Sequence, residues 1–139
     1  MLRYRTHDIC TLTIDKCACG RTLARMGRIT GRTDDMLVIR GVNVFPSQIE
    51  SVLVGAEGVA PHYMLIVDRV NNSDTLEVQV EMTDDMFSDT VGHIETVRRY
   101  IGDQIKSVVG ISAKVTLAAP KSMPRSEGKA KRIIDNRKL

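Results

Sequence analysis

The 139-residue chain contains no tryptophan, two phenylalanines and three tyrosines. Proteins that read single-stranded nucleic acid stack bases on aromatic side chains, and with that supply missing no nucleic-acid partner is expected. Long apolar runs are missing as well. The longest, such as Tyr63-Met64-Leu65-Ile66-Val67, fall far short of the roughly 20 residues a helix needs to cross a bilayer. The charged start Tyr4-Arg5-Thr6-His7-Asp8 has no apolar segment of the secretory kind. A cytoplasmic protein with no membrane partner is the expectation. Neither the P-loop spacing nor a GxGxxG turn occurs, so any nucleotide must be bound largely outside such a cradle. Internal repeats and low-complexity segments are also missing.

Cysteine is scarce, and its placement is informative. Cys10, Cys17 and Cys19 are an odd number crowded near one loop, a poor basis for a disulfide framework. They are candidate zinc ligands, three thiolates where a structural site takes four; His7 or a ligand from another domain could complete the set. Ordinary thiols are the other reading of the same spacing. His62 and His93 have no cysteine or acidic partner at ligand spacing and read as surface or strand-edge histidines.

What is present fits one domain. Hydrophobic residues make up 42% of the chain, enough for a core, and the net charge is only +3. Positive charge gathers at the end of the chain, at Lys121, Arg125, Lys129, Lys131, Arg132, Arg137 and Lys138, where it could meet an anion.

The periodicities predict an α+β fold. Residues 1–25 show no sustained period and read as an edge strand and loop. Arg28–Gly31 and Met36–Ile39 flank Thr33-Asp34-Asp35 and predict a short β-hairpin. Pro46 opens a helix of about ten residues with Ile49, Val52 and Leu53 on one face, ended by Gly55 and Gly58. His62–Arg69 and Thr75–Met82 read as strands joined at Asn71-Asn72-Ser73-Asp74, the second alternating Leu76, Val78 and Val80 with Glu77, Gln79 and Glu81. From Ser88 as N-cap, Val91, Ile94, Val97, Ile101, Ile105 and Val108 recur at helical spacing until Gly110. Lys114–Ala119 supplies a third strand. The sum is a small, mostly antiparallel three-stranded sheet with two covering helices, preceded by the hairpin.

Three segments could carry chemistry. Lys129, directly behind Gly128, puts a compact ammonium on a flexible stem that can reach an anion forming at a distant centre. A lysine in a basic tail is ordinarily a solvated cation, and spacing alone does not lift it above that. Asp34 and Asp35 at a turn serve either to hydrogen-bond the turn backbone or as a hinge; nothing nearby would raise their pKa values, which argues against an acid/base pair. Gly41 behind Arg40 calls for a positive φ or a bulge.

Taken in order, Tyr4-Arg5-Thr6-His7-Asp8, then Gly31-Arg32-Thr33-Asp34-Asp35 running through Arg40-Gly41-Val42-Asn43-Val44-Phe45-Pro46 to Glu50, then Ser126-Glu127-Gly128-Lys129-Ala130 resemble the C-terminal part of phenylacetate-CoA ligases, a branch of the adenylate-forming enzymes. The resemblance covers essentially the whole chain. It implies a carboxylic acid, aryl or small, activated by Mg-ATP to an acyl-adenylate and then transferred to coenzyme A with release of AMP, while the C-terminal domain rotates between the two steps. Lys129 matches the adenylation lysine and Asp34 the hinge. Asp8 matches the aspartate on the ribose hydroxyls, and Arg32 the arginine near the nucleotide. Arg40, Gly41 and Val42 match the segment lining the coenzyme A channel. Residues 1–25 would then be the end of the large-domain region and 26–139 the mobile domain. His7 departs from the glycine that many members carry before the aspartate. The phosphate loop and the acid and adenine pockets belong to a large N-terminal adenylation domain, the expected partner, and the chain is expected to be an excised or truncated piece, silent without it. The alternative is a basic α+β module that binds nucleic acid or acts as a stand-alone interaction domain.

Overall fold

A computed structural model of the chain describes residues 4–124 and 132–137. The chain divides into two units, Met1–Met36 and Leu37–Leu139.

The first unit is built from short strands. β1 (Asp8–Ile9) pairs antiparallel with β4 (Gly31–Arg32), placing Asp8 opposite Arg32. Between them β2 (Leu12–Thr13) pairs antiparallel with β3 (Arg25–Met26), with Leu12 opposite Met26. Thr33–Asp35 form a single 3-10 turn. The hairpin expected across Thr33-Asp34-Asp35 does not form. Gly31–Arg32 pair back onto β1, and the next strand, β5 (Leu37–Ile39), pairs with β6 (Val42–Val44) on its other side. The physical reason lies in the turns. A 3-10 turn does not return a strand on itself, whereas Arg40 and Gly41, at φ 51 and 77, supply the two positive torsions of a type I′ two-residue hairpin.

The second unit carries the core. α1 (Pro46–Val54) starts where expected, with Pro46 at its first position. The Phe45 N–H donates to the Gln48 side-chain oxygen at 3.0 Å, satisfying a donor just ahead of the helix. β7 (Val59–Val70) and β8 (Ser73–Met82) form a long antiparallel hairpin. Asn71 and Asn72 turn it at φ 50 and 60, the conformation asparagine tolerates best among side-chain-bearing residues. α2 (Asp84–Phe87) is a single turn, capped where the Thr83 hydroxyl accepts the Met86 N–H at 3.4 Å. Ser88 closes α2, and α3 (Val91–Val109) begins after Thr90. Gly110, at φ 85, ends α3 in the left-handed region.

β9 (Lys114–Ala118) joins β8 in parallel, and β10 (Ile133–Asp135) joins β7 in parallel. The α+β class holds, and the sheet gains a fourth strand in the order β10-β7-β8-β9; only its central β7–β8 pair is antiparallel, because β9 and β10 each enter the sheet parallel to their neighbour, so the sheet is not the mostly antiparallel one expected. β10 lies within the basic tail, where three residues are too few to show a period. Leu65, Val67, Leu76, Val78 and Val80 pack against Ile49 and Leu53 of α1, Ile101, Ile105 and Val109 of α3, and Ile39 and Val44 of the β5–β6 hairpin. Full burial of such side chains contributes about 1.5–3 kcal/mol each. Val91 and Val108, placed on the apolar stripe by periodicity, are exposed.

Candidate functional site

Asp8, Arg32 and Asp34 come together in the first unit. The antiparallel register sets Asp8 beside Arg32, where Arg32 Nη1 stands 3.5 Å from Asp8 Oδ1. On its other side Arg32 grips Asp34 through a two-pronged contact, Nε to Oδ1 at 2.9 Å and Nη2 to Oδ2 at 2.6 Å. A planar guanidinium matched to a carboxylate in this way fixes orientation as well as charge. The Arg32 hydrogen bonds hold the Asp34 carboxyl below its ordinary range, and Asp34 in turn raises Arg32. The Thr33 N–H donates to the His7 carbonyl at 2.7 Å, closing the cluster through the backbone. His7 sits at φ 66, a conformation glycine adopts freely, so this histidine takes a glycine-like backbone.

Arg40, Gly41 and Val42 form the tip of the β5–β6 hairpin in the second unit. A Cβ built on Gly41 meets nothing within 4 Å; its positive φ, not crowding, calls for glycine, and that side of the turn is open. Asp74, at the base of β8, holds Arg40. Its main-chain carbonyl accepts Arg40 Nε at 2.6 Å and its Oδ2 accepts the Arg40 N–H at 3.4 Å. Arg69 Nε donates to Asp74 Oδ1 at 2.9 Å and Arg137 Nη1 to Oδ2 at 3.1 Å. Arg137 also clasps Asp135, at 2.9 and 2.7 Å, and donates to the Val38 carbonyl at 2.6 Å. Hydrogen bonds from Arg69, then from the Arg40 N–H and Arg137, keep the Asp74 carboxyl below its ordinary value. The carboxyl of Asp135 is likewise lowered, chiefly by Arg137.

A folded-state pKa below the unfolded one, about 3.9 for aspartate, means stability that is present at neutral pH and lost as the pH falls through the folded value. The urea midpoint of the second unit should therefore drop below about pH 4. Asp74→Asn should lower the midpoint at pH 7 and flatten that acid loss, checked by urea titrations at pH 7, 4 and 3.

The cysteines do not form the three-thiolate site. No group of three or more His, Cys, Asp or Glu able to hold a metal ion occurs among the described residues. Cys10 lies between β1 and β2, and Cys17 and Cys19 lie in the loop between β2 and β3. There the Cys17 N–H donates to the Arg21 carbonyl at 3.1 Å. The backbone of Arg21, then Cys17, lowers the Cys19 thiol. Two thiols do not make a closed zinc site, and no step is assigned to zinc.

Lys129 lies outside the described residues. The chain on either side of its segment is tied to the sheet domain by residues that periodicity passed over. Glu81, read as a solvent-facing position of β8, is 2% exposed. Its carboxylate accepts the Lys121 N–H at 2.9 Å and the Met123 N–H at 3.4 Å. Beyond the segment, Arg132 lies 4.9 Å above the Tyr63 ring and donates to Glu50 at 3.1 Å. Asp74 and Arg137 were also missed, one counted as a turn residue and the other as a tail cation. Buried charge of this kind leaves no period in a sequence.

The fold defines a class, one shared with part of the chain of known CoA ligases. The structure matches 2-hydroxyisobutyryl-CoA ligase in its postadenylation state with a TM-score of 0.84 at 36% identity, over 99% of this chain and 29% of that one. It also matches a domain of phenylacetate-coenzyme A ligase from Bacteroides vulgatus, with a TM-score of 0.70 at 31% identity, over 76% of this chain and 95% of that one.

Residues 41–137 match the family described as AMP-binding enzyme C-terminal domain, and the chain belongs to that family. It is 46% identical to the phenylacetate-coenzyme A ligase of Thermus thermophilus, over 99% of this chain and 34% of the relative. It is 45% identical to that of Escherichia coli K12, over 100% of this chain and 31% of the relative. The chain thus spans about a third of the length of these curated relatives. No helix among the described residues is long and apolar enough to cross a membrane.

Proposed function

We propose that this chain is the mobile domain of a cytoplasmic carboxylate-CoA ligase of the phenylacetate-CoA ligase type, serving both half-reactions of a large adenylation domain. In the first, the acid carboxylate attacks the α-phosphorus of ATP, giving acyl-adenylate and pyrophosphate. In the second, the coenzyme A thiol attacks the acyl carbon, AMP leaves, and the thiol proton is released. Bound magnesium would neutralise charge on the triphosphate.

The observation that carries the reading is the Asp8–Arg32–Asp34 cluster, which ends directly before the division of the chain after Met36. Asp8 is an ionised acceptor suited to a ribose diol. Arg32 supplies a fixed positive charge beside it, and Asp34 sits where a few residues could absorb a change of domain orientation. Lys129 brings an ammonium to the reacting carboxylate and α-phosphate in the first step. Arg40, Gly41 and Val42 line the coenzyme A route in the second, and the open side of Gly41 supports that role. The acid pocket is assigned to the large domain, and an aryl acid follows from the relatives' names.

The test is a chimaera in which this chain replaces the matching region of the E. coli relative. With phenylacetate, ATP and coenzyme A it should yield phenylacetyl-CoA, AMP and pyrophosphate, while this chain by itself should yield none. A folded chimaera producing ADP and phosphate, or no thioester, would contradict the reading.

A further inference from the structure

Arg40 occupies the first central position of a two-residue turn at φ 51. Such turns favour Asn, Asp or Gly there, and a non-glycine residue held in this region persists only where its surroundings over-determine it. The surroundings are one residue, 34 positions away. The Asp74 carboxylate accepts the Arg40 N–H and so holds the backbone of the turn, while the Asp74 main-chain oxygen, which any residue there would keep, accepts Arg40 Nε. Arg137, held by the same carboxylate, ties the Val38 carbonyl of the strand that leads into the turn. Arg40 makes no ion pair among the described residues, leaving its charge available to an anionic ligand. A turn that needed only to reverse the chain would require none of this.

We propose that Asp74 is a positioning residue for thioester formation, holding the Arg40–Gly41 turn in the shape in which it meets coenzyme A. The proposal rests on the reading of Arg40, Gly41 and Val42 as the lining of the coenzyme A route. Asp74 touches no substrate and acts through Arg40.

The experiment measures both half-reactions in the chimaera for Asp74→Ala, Asp74→Asn, Arg40→Ala and the Asp74→Ala/Arg40→Ala pair. Misplacing a positioned group by about 1 Å can cost on the order of a hundredfold. Asp74→Ala should therefore raise KM for coenzyme A or slow thioester formation by about ten- to a hundredfold, with pyrophosphate release in the absence of coenzyme A unchanged. Asp74→Asn, which keeps an acceptor for the Arg40 N–H, should fall between wild type and Asp74→Ala. Because Asp74 acts through Arg40, the pair should be no worse than Arg40→Ala alone.

Amide exchange on the full chain separates a loosened turn from an unfolded domain. In Asp74→Ala the Arg40 and Gly41 amides should exchange faster while those at the centres of β7 and β8 stay protected. Should Asp74→Ala lose that central protection, the Asp74→Asn kinetics decide. Equal slowing of both half-reactions, an unchanged coenzyme A step, or full additivity with Arg40→Ala would overturn the proposal. If Arg40→Ala itself leaves the coenzyme A step untouched, the reading of the turn fails and the Asp74 role fails with it. If Arg40→Ala impairs that step and the Asp74 variants do not, the turn's role stands and only the Asp74 proposal falls.

Discussion

Lys129→Ala should lower acyl-adenylate formation in the chimaera by about two to three orders of magnitude, the usual cost of removing one preorganised donor from a developing negative charge. Thioester formation from supplied acyl-adenylate should stay near the wild-type rate. The asymmetry follows from the chemistry. Adenylation brings a carboxylate against an α-phosphate, and negative charge accumulates where the two meet. In the proposed second step a neutral acyl carbon is attacked, and the charge on the departing AMP would be met by other groups. Lys129→Arg should recover part of the loss, because a guanidinium keeps the charge but is larger, planar and differently hydrated. Pyrophosphate release without coenzyme A, measured beside thioester yield from synthetic acyl-adenylate, reads both rates. Equal loss in both steps would remove Lys129 from the adenylation role.

Asp34→Pro should also separate the half-reactions, with a strong loss of overall turnover and one of the two steps retained, but not both. A hinge works by letting φ and ψ of one or two residues change, and proline locks φ near −65°. Asp34 sits within a 3-10 turn, where φ of roughly −50 to −70° is the norm, so proline accepts its present torsion while barring others. The ring also disfavours a helical Thr33, and the substitution removes the carboxylate that pairs with Arg32. Asp34→Ala controls for the second effect, since it loses the same carboxylate and leaves φ free. If Asp34 is a hinge, only the proline variant separates the half-reactions. If it is only the ion-pair partner of Arg32, the two variants behave alike.

The parts of this molecule that were legible in the sequence are those with a repeating physical cause. Leu76, Val78 and Val80 alternate because one face of β8 is buried, and Ile101 and Ile105 recur because α3 lies on the core. Pro46 announced a helix start through its own covalent geometry. The hairpin across Thr33–Asp35 was misplaced because its flanks looked extended, and no local rule tells a strand which neighbour it will pair with. Arg32 finds Asp8 across 24 residues of chain only because β1 and β4 share a register.

The candidate site divides along the same line. Asp8, Arg32, Asp34 and the Arg40–Gly41–Val42 turn were named from motif resemblance, and the fold groups the first three into one ion-paired cluster. Asp74, Arg137 and Glu81 were invisible because each gains its meaning from a distant partner. Glu81 even sits in phase with the half-buried Glu77 and Gln79, yet it is buried, and Lys121 and Met123 return to donate backbone N–H groups to it.

The central claim is that one small domain serves two half-reactions through different residues. The most direct measurement follows pyrophosphate release and thioester formation by rapid quench in the chimaera, with the Lys129→Ala and Arg40→Ala variants run in parallel. The account predicts a crossed pattern, with Lys129→Ala slow in pyrophosphate release and Arg40→Ala slow in thioester formation. A parallel decline of both steps in both variants would contradict it.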